Sequence, residues 1–323
     1  MRRRSLLDDR FEVVAERLTD RDRWLCEMLL QHKVLTTNQV CYLAFDDLTT
    51  TRHRMLQLHQ LGLVDRFRPH RTAGSAPLHH VLDDMGAEVV AATRGIDRDQ
   101  LGWRRDRSLA IATSQRLGHL VGLNGVFTSL VRSARSRREA ELRDWWSEQR
   151  CAAEWGEVVR PDGFGRWAEG GFEVAFFVEY DCGTERLGRL TAKVAGYDEL
   201  ADVVGDDVLL FILPSQRREA EVRRAVAKSR LPLATAVLAP GEAADGRIWQ
   251  PVGRSTRRRL IELRQPGLPA DSAQRSADHD QPLRGFREDR LAAHAPGPLC
   301  RVSPGAGCGE ESAQSGAPPP GGG

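Results

Sequence analysis

The 323-residue sequence has no apolar run near the ~18 residues a membrane-spanning helix needs. Its longest candidates, Val208 to Leu213 and Val174 to Val178, are strand-sized, so no membrane partner is expected. Six cysteines (Cys26, Cys41, Cys151, Cys182, Cys300 and Cys308) include no CxxC pair and no Cys/His spacing typical of zinc. Free, reduced thiols follow. Net charge is also scarce: 47 basic against 45 acidic residues leave +2, so a nucleic-acid partner has to be met by a local patch. Lysine is almost missing, with Lys33, Lys193 and Lys228 alone among those basic residues. Each lysine is thereby informative, because arginine serves here wherever a plain positive charge suffices. The opening MRRRSLLDDRFEVV breaks its apolar stretch with Asp8, Asp9 and Arg10, which argues against a signal peptide and makes the cytoplasm the expected compartment.

What is present suffices for two domains, at 41% hydrophobic and 28% charged residues. The pattern divides into an arm (1–18), a helical module with one hairpin (19–95), a helical connector (96–147), a segment alternating strand and helix (148–264) and a Pro/Gly-rich tail (265–323). That is an α/β chain of the α+β multi-domain kind. The tail is too poor in large apolar groups to offset chain entropy and is expected to be disordered. Within the connector, Ser108 to Trp146 reads as helix, with Gly118, Gly122 and Gly125 weakening its middle, so one helix or two remain open.

In the first module Thr19 before Asp20 starts a helix to about His32, and Thr36 or Thr37 opens a second. A third runs from among Thr49 to Thr51 to Leu61 and ends at Gly62. LVDRFRPH and APLHHVL then read as extended segments. Three short helices and a hairpin resemble a winged helix-turn-helix, carried by TTTRHRMLQLHQLGLVDRFRP. At 100° per residue Met55 and Leu58 face inward with Thr51, while Thr50, His53, Gln57 and Gln60 face outward, flanked by Arg52 and Arg54. In a recognition helix His53 and Gln57 would meet base edges and the arginines phosphates. Arg66, Arg68, His70 and Arg71 on the wing would add phosphate contacts, opposed nearby by Asp65. A polar face of this kind also suits a protein-binding module. His79 and His80, adjacent on a strand, point to opposite faces and make no metal pair.

The carboxyl-terminal segment reads as a strand at Cys151 to Val158, a strand GFGRW, a turn AEGG, the strand FEVAFFVEYD, a helix to about Val203, the strand VLLFILP, a helix and the strand LATAVLA. With the preceding helix, this is similar to the αβββαβ order of the restriction-endonuclease-like fold. The resemblance implies a site in which an Asp beginning the second strand and an acidic-x-Lys triplet ending the third hold Mg²⁺ and the attacking water. Here Asp162 and the Glu179-Tyr180-Asp181 triplet occupy those positions. If Trp167 opposes Phe172, then Asp162 opposes Phe177 and shares a face with Glu179 and Asp181, whereas a one-residue slip sends it to the other face. Asp181 stands where such nucleases keep lysine. Lys193, beside the stripe Leu187, Leu190, Val194, Tyr197 and Ala201, is the candidate replacement; a solvated surface lysine is the alternative. For the carboxylates, the alternative is turn initiation and helix capping.

In order along residues 19–240, LTDRDRWLCEMLLQHKVLTTNQV, GLVDRF, LGHLVGLNGVF and RPDGF…FFVEYDCGTERLGRLTAKVAGYDEL resemble the replication-relaxation family of actinobacterial plasmids and integrative elements. The resemblance implies a protein that binds double-stranded DNA for a mobile element, with the element's replication or conjugation proteins as further partners. DNA binding would require no cofactor, and Mg²⁺ would be needed only if Asp162, Glu179, Asp181 and Lys193 form a working nickase. A winged-helix transcriptional regulator is a third reading. Cleavage, the DNA site and a homodimer are left open.

Overall fold

The computed structural model describes residues 11–70, 74–204, 207–239 and 241–264. The expected disordered tail, with Cys300 and Cys308, lies outside them, as do Arg71 and most of the arm. The fold mixes helix and sheet.

Thr19 caps α1 (Asp20–His32) through a reciprocal capping box with Asp22, and Thr36 caps α2 (Thr37–Ala44) in the same way with Gln39. Asp47, rather than a threonine, caps α3 (Leu48–Gln60). Between α1 and α2 lies β1 (Leu35–Thr36), a strand not anticipated because two residues give no period. It pairs with β3 (His79–Leu82), which also pairs with β2 (Val64–Phe67), giving an antiparallel sheet in the order β1-β3-β2. The helix α4 (Asp84–Arg94) closes this layer, and α5 (Arg105–Ala110) leads into α6 (Leu117–Ser136). Although three glycines weaken it, α6 is one helix. Gly122 is needed where it stands, because a Cβ there would lie 2.1 Å from Cζ of Tyr180.

Two elements of the sequence reading are corrected. Residues expected to end the connector helix form β4 (Ala140–Ser147), and those expected to form a strand make α7 (Glu148–Trp155). ELRD is written in good helix formers, and a register shift between Leu142 and Asp144 breaks the alternation that would have announced a strand. Pairing with β5 decides the outcome over propensity. Ser147 caps α7, which buries Cys151.

A six-stranded sheet runs β4, β5 (Gly163–Glu169), β6 (Phe172–Tyr180), β7 (Val208–Ile212), β8 (Leu233–Ala236), β9 (Gln250–Pro251) in sequence order. β4, β5 and β6 are antiparallel, while β7 and β8 follow β6 in parallel through the crossover helices α8 (Leu187–Val204) and α9 (Gln216–Ala225). The β5–β6 turn is Gly170-Gly171 alone, both with positive φ, as a two-residue hairpin requires. Phe164 therefore faces Phe177, so the register differs from the expected one by two residues. An even shift leaves every side chain on its expected face.

Alternation along the strands divides the core. Trp145 and Phe176 stack on Phe127 of α6, and with Trp167 and Val178 they share one cluster with the helices α1 to α4. Phe164, Phe177, Leu209 and Phe211 face α7, α8 and α9. The amino-terminal layer thus has a common core with the sheet across α6, and polar bonds lock the contact. Asn124 Nδ2 donates to the carbonyls of His32 and Val34, and Gln39 Nε2 donates to that of Val121 at 2.7 Å.

Candidate functional site

Two surfaces carry the polar chemistry singled out in the sequence. On α3 the apolar positions Met55 and Leu58 are buried with Thr51, and Thr50, Arg52, His53, Leu56, Gln57 and Gln60 are exposed. No acidic residue lies between Leu48 and Gln60. Arg52 and His53 form no ion pair among the described residues. Thr50 donates to its cap, Asp47. Gln57 accepts from Arg54 Nη1 at 2.8 Å, which leaves its amide donors outward.

Arg54 departs from its expected place as a phosphate contact. Its Nε donates to Asp22 Oδ1 at 2.9 Å and its Nη2 to Oδ2, bracing α3 against α1. Burial alone would raise the Asp22 carboxyl, but the bonds from Arg54 and Thr19 hold it below the usual range. On the hairpin Arg66 is half-buried and Arg68 is exposed, with Arg68 Nη1 donating to Ser75 at 3.0 Å. Asp65, the acid among them, is occupied by Arg105 of α5 at 3.2 Å.

The second surface lies at the ends of β5 and β6. Extending the observed register by one residue sets Asp162 directly opposite Glu179, on the face toward α8. Glu179 is 3% exposed. Lys193 Nζ donates to its Oε2 at 2.6 Å and the Tyr197 hydroxyl to its Oε1 at 2.7 Å. Asp162 Oδ2 accepts the Tyr180 backbone N–H at 2.9 Å, and its Oδ1 lies 3.8 Å from Lys193. Lys193 is therefore no free surface lysine but the shared cation of two carboxylates. Burial, and then the charge of Asp162, push the Glu179 carboxyl up to about 8 against the pull of Lys193 and Tyr197. Burial would lower the Lys193 ammonium, but Glu179 and Asp162 raise it, so it stays charged.

Asp181 does not join them. Its carboxylate accepts from Gly183 N–H at 2.6 Å and from Arg218 Nε of α9 at 2.7 Å. The expected triad of carboxylates is thus a pair with a lysine, and the described residues contain no group of three His, Cys, Asp or Glu placed to hold a metal. Two carboxylates remain a fit for Mg²⁺, which commonly takes one or two and completes its shell with water and phosphate.

Three neighbours of this site went unread. Tyr197 belongs to the apolar stripe of α8, and no local spacing marks it, Arg218 or His119 as part of a site. His119 of α6 places Nε2 3.5 Å from Asp162 Oδ2 and its ring edge-on to Tyr180.

None of the described helices is long and apolar enough to cross a membrane. No curated protein and no solved structure matches the chain. The family model for replication-relaxation proteins matches residues 27–207, more than half of the chain and a span holding the exposed face of α3 together with Asp162, Glu179 and Lys193; the chain belongs to the replication-relaxation family.

Proposed function

We propose that the protein binds double-stranded DNA for the replication or relaxation of a plasmid or integrated element, reading it with a winged helix. One observation carries this reading: the outward face of α3, Arg52, His53, Leu56, Gln57 and Gln60, is free of acids and stands beside the hairpin bearing Arg66 and Arg68. Helix, strand, two helices and a hairpin in this order support the winged-helix assignment, with α3 as the helix entering the major groove. Gln57 would pair with a base, while Arg52, Arg66 and Arg68 would take phosphates. Mobility-shift titration of the full chain against Arg52→Ala and Gln57→Ala tests it. Unchanged affinity and unchanged sequence preference in both would sink it.

The convergence of Asp162, Glu179 and Lys193 favours a second reading, in which the sheet module is restriction-endonuclease-like and cuts one strand. Asp162 and Glu179 would hold Mg²⁺, which when bound makes a water more acidic and offsets charge on the phosphate. Lys193, donated by a helix instead of the third strand, would orient the water and offset charge as the phosphate is attacked. Tyr197 fixes the Glu179 carboxylate against rotation. Supercoiled plasmid with Mg²⁺, with Asp162→Ala as control, separates a nickase from a binding module that does not cut.

A further inference from the structure

The Nε2 atom of His119 is buried and has no hydrogen-bond partner among the described residues. An unmade bond at a buried polar atom is costly, so an orphan of this kind asks for an explanation. The nearest candidate partner is Asp162 Oδ2 at 3.5 Å, just beyond hydrogen-bonding range. The His119 ring stands perpendicular to that of Tyr180, centroids 5.8 Å apart, and the Tyr180 ring in turn fits over Gly122 one turn further along α6. The His119 side chain is 19% exposed. Hydrogen bonds in catalytic sites are often long in the free protein and tighten when substrate binds. Asp162 Oδ2 meanwhile accepts the Tyr180 backbone N–H, while Oδ1 faces Lys193.

We propose that His119 is a positioning residue of this site: its Nε2–H donates to Asp162 Oδ2, so that Asp162 presents Oδ1 to the pocket it shares with Glu179 and Lys193. The carboxylate is then gripped from two elements, β6 through the Tyr180 amide and α6 through the imidazole. Partners of this kind orient the groups that hold a metal or meet a substrate. The contribution comes from outside the strands and helix that carry the other residues. It also ties the site to the helix on which the amino-terminal layer is docked, since Val121 and Asn124 of α6 bond that layer within the next two turns. This inference rests on the hydrolytic reading for its consequence, and on geometry alone for the bond.

Side-chain nitrogen NMR of the full chain at neutral pH tests the bond, with the His119 signals identified by their loss in His119→Gln. The expected result is a proton on Nε2 in wild type and a displaced signal in Asp162→Asn. A proton on Nδ1, with signals indifferent to Asp162→Asn, overturns the proposal whether or not the protein cuts DNA. Plasmid nicking tests the consequence. His119→Ala should lower kcat about 10–100-fold with the KM for DNA unchanged, and His119→Gln, which keeps a donor at similar reach, should recover part of it. An unaltered kcat in His119→Ala overturns the positioning role. If wild type never nicks, the hydrolytic reading fails instead, and the nitrogen signals still decide the bond.

Discussion

Arg54 of α3 closes on Asp22 of α1, a carboxylate only 1% exposed, and in doing so leaves the outward face of α3 to Arg52. The two arginines are separated by one residue and have opposite duties. Removing Arg54 strands a buried charge, so Arg54→Ala should cost about 3 kcal/mol of stability in urea denaturation. DNA affinity measured where the protein is fully folded should hold. Arg52→Ala and Arg66→Ala should leave stability intact and flatten the salt dependence of binding by roughly one unit of log-log slope each. A steep affinity loss with Arg54→Ala at unchanged stability would reverse the assignment.

His32 stacks on Trp145 with ring centroids 3.7 Å apart, where the amino-terminal layer meets the sheet. Burial pushes its imidazole down to about 3. The folded state therefore keeps it neutral while the unfolded chain protonates it below about 6.5, so the unfolded state binds more protons and stability falls as pH drops from about 6.5 toward 3. Buried His80, also pushed down to about 3, adds to the slope. Glu179, raised to about 8, works in the opposite sense, since its folded state binds the extra proton. Comparing wild type with His32→Phe cancels both. Between about pH 6 and 5 the variant should lose stability less steeply, by up to ~1.4 kcal/mol per pH unit. Parallel curves would show that His32 is charged in the fold.

What the sequence disclosed tracks how local each signal is. Caps at Thr19 and Thr36, the run FFVEYD and the hairpin parity needed only neighbours, and they put Asp162 and Glu179 on one face even with the register two residues off. β4 and α7 depart from the sequence expectation because a bulge hides the strand's period and its pairing with β5 overrides helix propensity. Asp181 looked equivalent to Glu179 by alternation, yet it lies beyond the last residue of β6 and turns to Arg218, a residue 37 positions away. His119 and Arg54 belong to the same class. Their partners are set by packing between elements, and no spacing rule reaches that far.

Gly122 offers a test of the α6–sheet contact. A methyl group there would meet two ring atoms of Tyr180 and its hydroxyl oxygen within 2.5 Å, and a ring cannot yield as a flexible chain end does. Gly122→Ala should destabilise by about 1–3 kcal/mol despite its better helix propensity. Pairing it with Tyr180→Ala should recover most of that loss, read as a coupling in a double-mutant cycle. Additive losses would mean that α6 sits away from Tyr180.

The acidic site makes the sharpest demand, because the sequence and the geometry expect different things of one residue. With Asp162 and Glu179 facing one pocket beside Lys193, a divalent cation that displaces the proton burial keeps on Glu179 binds the folded state alone, so Mg²⁺ or Mn²⁺ should raise the melting temperature. Glu179→Ala should abolish that shift. A triad of carboxylates would lose it with Asp181→Ala as well. The observed pairing of Asp181 with Arg218 and the Gly183 amide predicts instead that Asp181→Ala lowers the melting temperature in the absence of metal and keeps the metal-induced rise. Lys193 separates binding from cutting: Lys193→Ala should preserve or enlarge the metal shift, having removed a competing cation, while eliminating any nicking of supercoiled plasmid. Lys193→Arg should not restore nicking, because a planar guanidinium cannot fill the place of a compact ammonium between Glu179 Oε2 and Asp162 Oδ1. A metal shift lost with Asp181→Ala and kept with Glu179→Ala would exchange the roles of the two acids and move the cation toward α9.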